Sequence, residues 1–282
     1  MRKDFFKIMF GLSKIQPWVG DKYDELQELL YDECQTDDER KLILELIERF
    51  VHVSHRKFSE LTDELVESIV TDKLDSSTTQ IVAMTGDFNP DSAQLVSYAL
   101  KPILERYKWR DHLAVTHFQR SYREFVKNGC AHKNIVLVDE FVGSGKSVVG
   151  RVKQLEKIYC GNDITDVDIF VKVIVSSKVG IEYAKSQGVN IESLICLDKG
   201  ISDSYESGLV KSKLDLMDRL ESILSISYND RDLPKLGYGE TECLYIRDGG
   251  NSPNSVFPIF WWPFLVSDKE RKTMLTRAMG DA

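Results

Sequence analysis

The sequence predicts an α/β fold: a parallel sheet flanked by helices, preceded by a helical N-terminal region and followed by a C-terminal cap. Three observations predict it. Short β-branched runs begin at residue 79 and recur at 112–118, 134–138, 168–175 and 190–197. Helical patterns at 92–104, 146–159 and 178–187 separate most of them, and strands alternating with helices give a parallel sheet covered on both faces. Before residue 75 the apolar residues recur only at helical spacing. The expected division is therefore 1–75 helical, 76–200 the α/β core and 201–282 the cap.

In the N-terminal region, Tyr23, Leu26, Leu29 and Leu30 make one stripe. Thr36 with Glu39 has the spacing of a capping box, and Ile43, Leu46, Ile47 and Phe50 follow it at helical intervals. Phe58, Leu61, Leu65 and Ile69 supply a third stripe. The core opens with a strand at 79–84 that runs into Thr85, Gly86, Asp87, Phe88, Asn89, Pro90, Asp91 and Ser92. There Asp91 or Ser92 is a natural N-cap for the helix that follows. Between the second and third strands, HFQRSYREFVKNGCAHKN is polar, basic and poor in apolar spacing. A helix is expected at 213–226, and beyond it Gly237, Gly239, Gly249, Gly250, Pro253, Pro258 and Pro263 punctuate extended segments. Adjacent Trp261 and Trp262 read as core or interface rings that could alternatively stack on a base.

Composition excludes several classes. The chain has 282 residues, 42% hydrophobic and 29% charged, ordinary globular values. Its net charge of −8 argues against broad, sequence-independent nucleic-acid binding, which needs a basic face. No apolar run approaches the roughly 20 residues of a membrane span, and the N-terminus, with Asp4, Lys7 and Lys14 in its apolar stretch, does not read as a signal peptide. Five widely spaced cysteines without a CxxC pair suit reduced thiols and a cytoplasmic setting. The histidines show no metal spacing, and His117 and His132 flank the basic insert.

The most informative segment is Ile135-Val136-Leu137-Val138-Asp139-Glu140-Phe141-Val142-Gly143-Ser144-Gly145-Lys146-Ser147. A wholly apolar strand leads to two adjacent carboxylates at its C-terminal edge, where open α/β sheets bind ligands. A small glycine-bearing loop then opens a helix, whose first N–H groups, with the Ser144 and Ser147 hydroxyls, suit a phosphate. Carboxylates beside such a nest suit the hydroxyls of a ribose. An ATPase P-loop, G-x-x-x-x-G-K-S/T, would need glycine at position 140, where this sequence has Glu140. The P-loop reading fails on that spacing.

Asp139-Glu140 followed by Ser144-Gly145-Lys146-Ser147 resembles the signature of type I phosphoribosyltransferases. The resemblance implies a type I phosphoribosyltransferase-like core in which Asp139 and Glu140 meet the ribose hydroxyls of phosphoribosyl pyrophosphate (PRPP). It further implies that Gly143, Ser144, Gly145, Lys146 and Ser147 cradle the 5′-phosphate, while Mg²⁺ bridges pyrophosphate and ribose. Asp91 and Ser92 would fall at the pyrophosphate loop, and Arg120 and Arg123, with Lys127, in a mobile lid. A second set of residues, Gly237-Tyr238-Gly239, Asn251-Ser252-Pro253-Asn254-Ser255 and Pro258 to Trp262, resembles the C-terminal signature of the phosphoribosyltransferase-like effectors (PRTase-CE) of bacterial anti-phage islands, including retrons. Gly250 stands where that family usually has histidine, and Ser252 and Ser255 replace threonines.

The resemblance implies a defence effector that binds PRPP or a nucleotide and acts at ribose C1. The alternative is an inactive nucleotide-binding regulator or assembly subunit. Implied partners are a reverse transcriptase, its RNA–DNA product or a companion regulator, with self-association left open and no membrane involved.

Overall fold

The computed structural model describes residues 3–72, 74–86, 91–267 and 269–280. Its contacts divide the chain into two compact units. One is Arg56–Leu197, and the other joins Met1–His55 to Asp198–Ala282. The expected boundaries at 75 and 200 are thus drawn at 55 and 197, and the third helical stripe goes with the sheet.

In the terminal unit, α1 (Lys3–Ile15) and α2 (Tyr23–Glu28) lead through a π-turn, Leu29–Glu33, to α3 (Asp37–Glu48). Thr36 caps α3 as its spacing predicts. The Glu39 N–H donates to Thr36 Oγ1, and the Thr36 N–H donates to Glu39 Oε2. Strand β1 (Val51–Val53) follows.

The sheet unit begins with α4 (His55–Thr71), which buries Leu61, Leu65 and Ile69 as the stripe predicts. It continues with β2 (Thr79–Ala83), α5 (Ser92–Arg106), β3 (Leu113–Val115), α6 (Ser121–Lys127), β4 (Asn134–Val142), α7 (Lys146–Cys160), β5 (Asp168–Ser177), α8 (Lys178–Ser186) and β6 (Asn190–Leu197). All five strands are parallel, in the order β3-β2-β4-β5-β6. The central strands are the apolar ones. Val136, Leu137, Val173 and Val175 are fully buried, as strands covered on both faces require. Strand β4 pairs with β2 only as far as Val138 but with β5 as far as Val142, so its last residues form one lip of an edge.

Two expectations are corrected here. The third core strand does not stop at residue 138; ladder bonds to β5 carry it through both carboxylates. The basic insert does contain an apolar face. A 3-10 turn, Phe118–Arg120, runs into α6, and Phe118 and Phe125 are buried against Tyr159 and its neighbours. The change of helix type at Ser121 hides this face from a period of 3.6. Ser121 and Tyr159 share hydrogen bonds with the buried amide of Gln80, tying the insert to β2 and α7.

The terminal unit closes with α9 (Ser207–Glu221), a hairpin of β7 (Ser227–Tyr228) and β8 (Arg231–Asp232), and β9 (Tyr245–Arg247), which pairs in parallel with β1. The helix lies several residues upstream of the expected 213–226. Trp261 and Trp262 are buried, their indole N–H groups donating to Val256 O and Ser225 Oγ, so both rings belong to the core. Among the described residues no helix is long and apolar enough to cross a membrane.

Glu221 ends α9 fully buried. Burial pushes its carboxyl up to about 8 and Asp218 and Glu242 add to this, while the Leu236 N–H and Lys235 oppose it. Between its ordinary value and about 8 the folded state holds a proton that the unfolded chain releases. Stability is therefore greatest below that window and falls as pH rises through it, by about 1.4 kcal/mol per pH unit at most. We expect the urea midpoint to drop between pH 5 and pH 8 more steeply in the native protein than in Glu221→Gln. Parallel profiles would refute this.

Candidate functional site

The candidate site lies at the C-terminal edge of the sheet, where β2 and β4 diverge. On the β2 side, Thr85 Oγ1 donates to Asp91 Oδ1 at 2.6 Å, and the same oxygen accepts from the Gln94 N–H, so Asp91 is the N-cap of α5. The first turn of α5 is thereby fixed over the edge. Ser92 Oγ then reaches across and donates to Asp139 Oδ1 at 2.9 Å, and the Glu140 N–H donates to the same oxygen at 2.7 Å. Both of these bonds fall on Oδ1. Asp87, Phe88, Asn89 and Pro90 of this loop lie outside the described residues.

Burial pushes the Asp139 carboxyl up to about 6, and the nearby Asp91 adds to the shift. The Ser92 and Glu140 hydrogen bonds and the Arg151 guanidinium oppose it. Arg151 was not singled out by sequence, since an arginine in the second turn of a helix is ordinarily solvated. Here its guanidinium rests beside Gly86, with Nη2 only 3.2 Å from where a Cβ would stand, and 5.9 Å from the centre of the Phe118 ring. That places a cation at the same edge as Asp139. Only spatial neighbourhood, not spacing, reveals it.

Because β4 continues through the acidic pair, Asp139 and Glu140 point to opposite faces of the sheet. Asp139 is half-buried at the open edge, whereas Glu140 is 4% exposed. The two carboxylates are not side by side, as a reading that ended the strand at residue 138 implies.

The phosphate-type loop is built from backbone. Gly145 has φ of +75°, a left-handed conformation that glycine adopts without cost, and it precedes α7 with no side-chain cap. Helix N-termini of this kind are where phosphates are commonly bound. Ser144 is half-buried, and Lys146 and Ser147 are exposed at the mouth. Behind the loop, Ser177 Oγ donates to Gly143 O at 2.7 Å and accepts from the Gly180 N–H at 2.9 Å. A Cβ on Gly180 would fall 2.0 Å from Gly143 O, and one on Gly145 would fall 2.5 Å from Gly180 O. Loop and α8 thus touch backbone to backbone, a contact that the sequence signature does not include.

The structure therefore brings Asp91, Ser92, Asp139 and Arg151 together and sets the 143–147 loop directly after β4. Arg120 and Arg123 are exposed on the folded insert. His117 neighbours Thr116 and Gln94, while His132 Nε2 meets Asp111 O at 2.9 Å, away from the acids. Among the described residues no cluster of three His, Cys, Asp or Glu is arranged to hold a metal ion.

The PRTase-CE family profile matches residues 31–270. No curated protein matches the chain. Among solved structures it is similar to the xanthine-guanine-hypoxanthine phosphoribosyltransferase of Helicobacter pylori, at 14% identity over 52% of this chain and 82% of that one, with a TM-score of 0.30. It is also similar to the orotate phosphoribosyltransferase of Mycobacterium tuberculosis in complex with PRPP, at 15% identity over 61% and 94%, TM-score 0.31. A third is the orotate phosphoribosyltransferase of Aeropyrum pernix, at 16% identity over 57% and 75%, TM-score 0.30. At such values the fold rests on the sheet itself, and family membership on the match along most of the sequence. The chain belongs to the phosphoribosyltransferase-like PRTase-CE family.

Proposed function

We propose that the sheet unit binds PRPP or a nucleotide, with the 5′-phosphate on the loop of Gly143, Ser144, Gly145, Lys146 and Ser147 and the sugar at Asp139, and acts at ribose C1. The observation that carries this reading is Asp139. Its carboxylate is oriented through one oxygen by Ser92 and the Glu140 N–H, beside a helix start that no side chain caps. Glu140, on the buried face, contributes that N–H and its negative potential more than a direct grip. Arg151 at the edge and Arg120 and Arg123 on the insert offset the charge of a departing pyrophosphate. Mg²⁺, held by the ligand's own phosphate and ribose oxygens, would stabilise the leaving group. Asp139, whose carboxyl burial pushes up to about 6, would ionise more readily beside a cation-carrying ligand.

The wider reading is an effector of a bacterial anti-phage, retron-type system that works in the cytoplasm with a reverse transcriptase, its RNA–DNA product or a companion regulator. It rests on family membership and on the acidic balance of the chain, which favours protein-mediated attachment.

One observation favours a second reading, a nucleotide-binding regulator without turnover. Glu140 is buried on the opposite pleat, so a single carboxylate faces the sugar. A single assay separates the two. The protein, with and without the products of neighbouring genes, is incubated with PRPP, nucleotides or NAD plus Mg²⁺, and released pyrophosphate or base is measured. Turnover that falls on the order of 10²-fold or more in Asp139→Asn, and less in Glu140→Gln, supports the enzyme. Saturable binding without product supports the regulator. Failure of every ligand to bind would overturn both.

A further inference from the structure

We propose that the terminal unit carries a second small-molecule site, independent of the sheet-edge reading, that takes a ligand of mononucleotide size with a planar ring and an anionic group. A cleft of about 440 Å³ lies between the segment bearing Trp18 and Lys22 and the turn that follows β9, with Met274 and Leu275 completing its wall. That volume lies within the range of sites that enclose small ligands.

The turn is a built structure. The Asp248 carboxylate accepts from His52 Nε2 at 2.7 Å and from the His55 N–H at 3.3 Å, while its own N–H donates to Val53 O. Asn251 Oδ1 accepts from the Ala278 N–H at 2.8 Å, the Ser252 N–H donates to Thr276 O at 2.9 Å, and Ser252 O accepts from Arg277 Nη1 at 2.6 Å. Between these anchors Gly249, at φ of +64°, and Gly250 add backbone without side chains to the cleft wall. Ser252 is 7% exposed at that wall, and its Oγ has no hydrogen-bond partner among the described residues. A buried hydroxyl left so calls for an outside partner, an ordered water, an ion or a bound molecule.

The chemistry of the lining selects the ligand. Trp18 is half-exposed, with its indole N–H held by Gln16 Oε1 at 2.9 Å and its ring backed by Phe50 at 5.4 Å. The ring is thus held by two contacts, and it lines the cleft together with the apolar Met274 and Leu275. Lys22, whose Nζ also meets Glu25 Oε1 at 3.3 Å, and Arg247, whose Nη1 donates to Asp248 O at 3.2 Å, bring cations to the same lining. Of the acids there, Asp248 is turned to the histidines, and the His52 bond holds its carboxyl below the usual range against the opposing effect of burial. Asp21 is exposed at the rim. Stacking surface beside paired cations is the recognition chemistry of a nucleotide.

The test uses the full chain carrying Asp139→Asn and Gly145→Ala, which disable the sheet edge, and titrates AMP, GMP and UMP by calorimetry. Adenosine and inorganic phosphate serve as controls. The expected result is one saturable site for at least one mononucleotide, weakened on the order of 10-fold by Trp18→Ala, retained in Trp18→Phe, and weakened by Lys22→Ala. Adenosine and phosphate should each bind more weakly than the nucleotide. Loss of all binding in the sheet-edge variant, binding indifferent to Trp18→Ala, or phosphate binding as well as the nucleotides would overturn it. The first of these outcomes leaves the sheet-edge reading standing, whereas the failure of that reading alone leaves this site intact.

Discussion

Replacing Arg271 with alanine is expected to destabilise the terminal unit by about 3–5 kcal/mol, the cost of leaving a buried carboxylate without its partner. Arg271 Nε and Nη2 donate to the two oxygens of Glu33 at 2.6 and 2.5 Å, and Nη1 donates to Trp262 O at 2.9 Å. Both side chains are essentially inaccessible, at 0% and 4%. The pair joins the π-turn before α3 to the C-terminal tail, so its loss removes a contact that no local propensity replaces. The charge itself, however, carries a large desolvation cost. The double change Glu33→Leu with Arg271→Met is therefore expected to recover much of what the single change loses, apart from the bond to Trp262 O. Urea unfolding of the native protein, Glu33→Leu, Arg271→Met and their combination, a closed double-mutant cycle, decides the matter, with Arg271→Ala measured beside them. An Arg271→Ala midpoint within error of the native value would show that the pair contributes little.

Gly180→Ala carries the largest expected effect on function. Its Cβ would fall 2.0 Å from Gly143 O, and the obstacle is backbone, so the loop or the start of α8 must move. Overpacking of this kind costs about 1–3 kcal/mol in stability. The displacement also reaches the loop that would hold the phosphate, where a misplacement of about 1 Å costs on the order of 10²-fold in rate. We expect Gly180→Ala to stay folded by circular dichroism while losing ligand binding or turnover at that scale. Gly188→Ala, at a glycine with nothing within 4 Å of the added methyl, controls for a general loss of glycine, although its φ of +81° adds local strain. Full activity in Gly180→Ala would detach the 143–147 loop from the site.

Much of this was legible in the sequence for a simple reason. Central parallel strands are buried on both faces, so Val136, Leu137 and Val173 are apolar, and the run they make is visible in the sequence. The Thr36 and Glu39 capping pair was readable because its partners are three residues apart. What escaped depends on distance along the chain or on a change of period. The acidic pair concealed the continuation of β4, since its ladder bonds are backbone and its side chains look like an ending. Phe118 and Phe125 straddle a change of helix type. Arg151 and Gly180 acquire meaning only when Gly86 and Gly143 are brought against them, and the pairing of β1 with β9 rests on three residues a side drawn from opposite ends of the sequence.

That last pairing bears on how the protein is made. A ribosome adds roughly 5–20 residues per second. Strand β1 therefore waits on the order of ten seconds or more for β9, while the whole of the intervening sheet emerges and can close. Throughout that interval α3, whose buried face includes Leu42, Leu46 and Ile47, is without α9, the helix it touches in the finished fold.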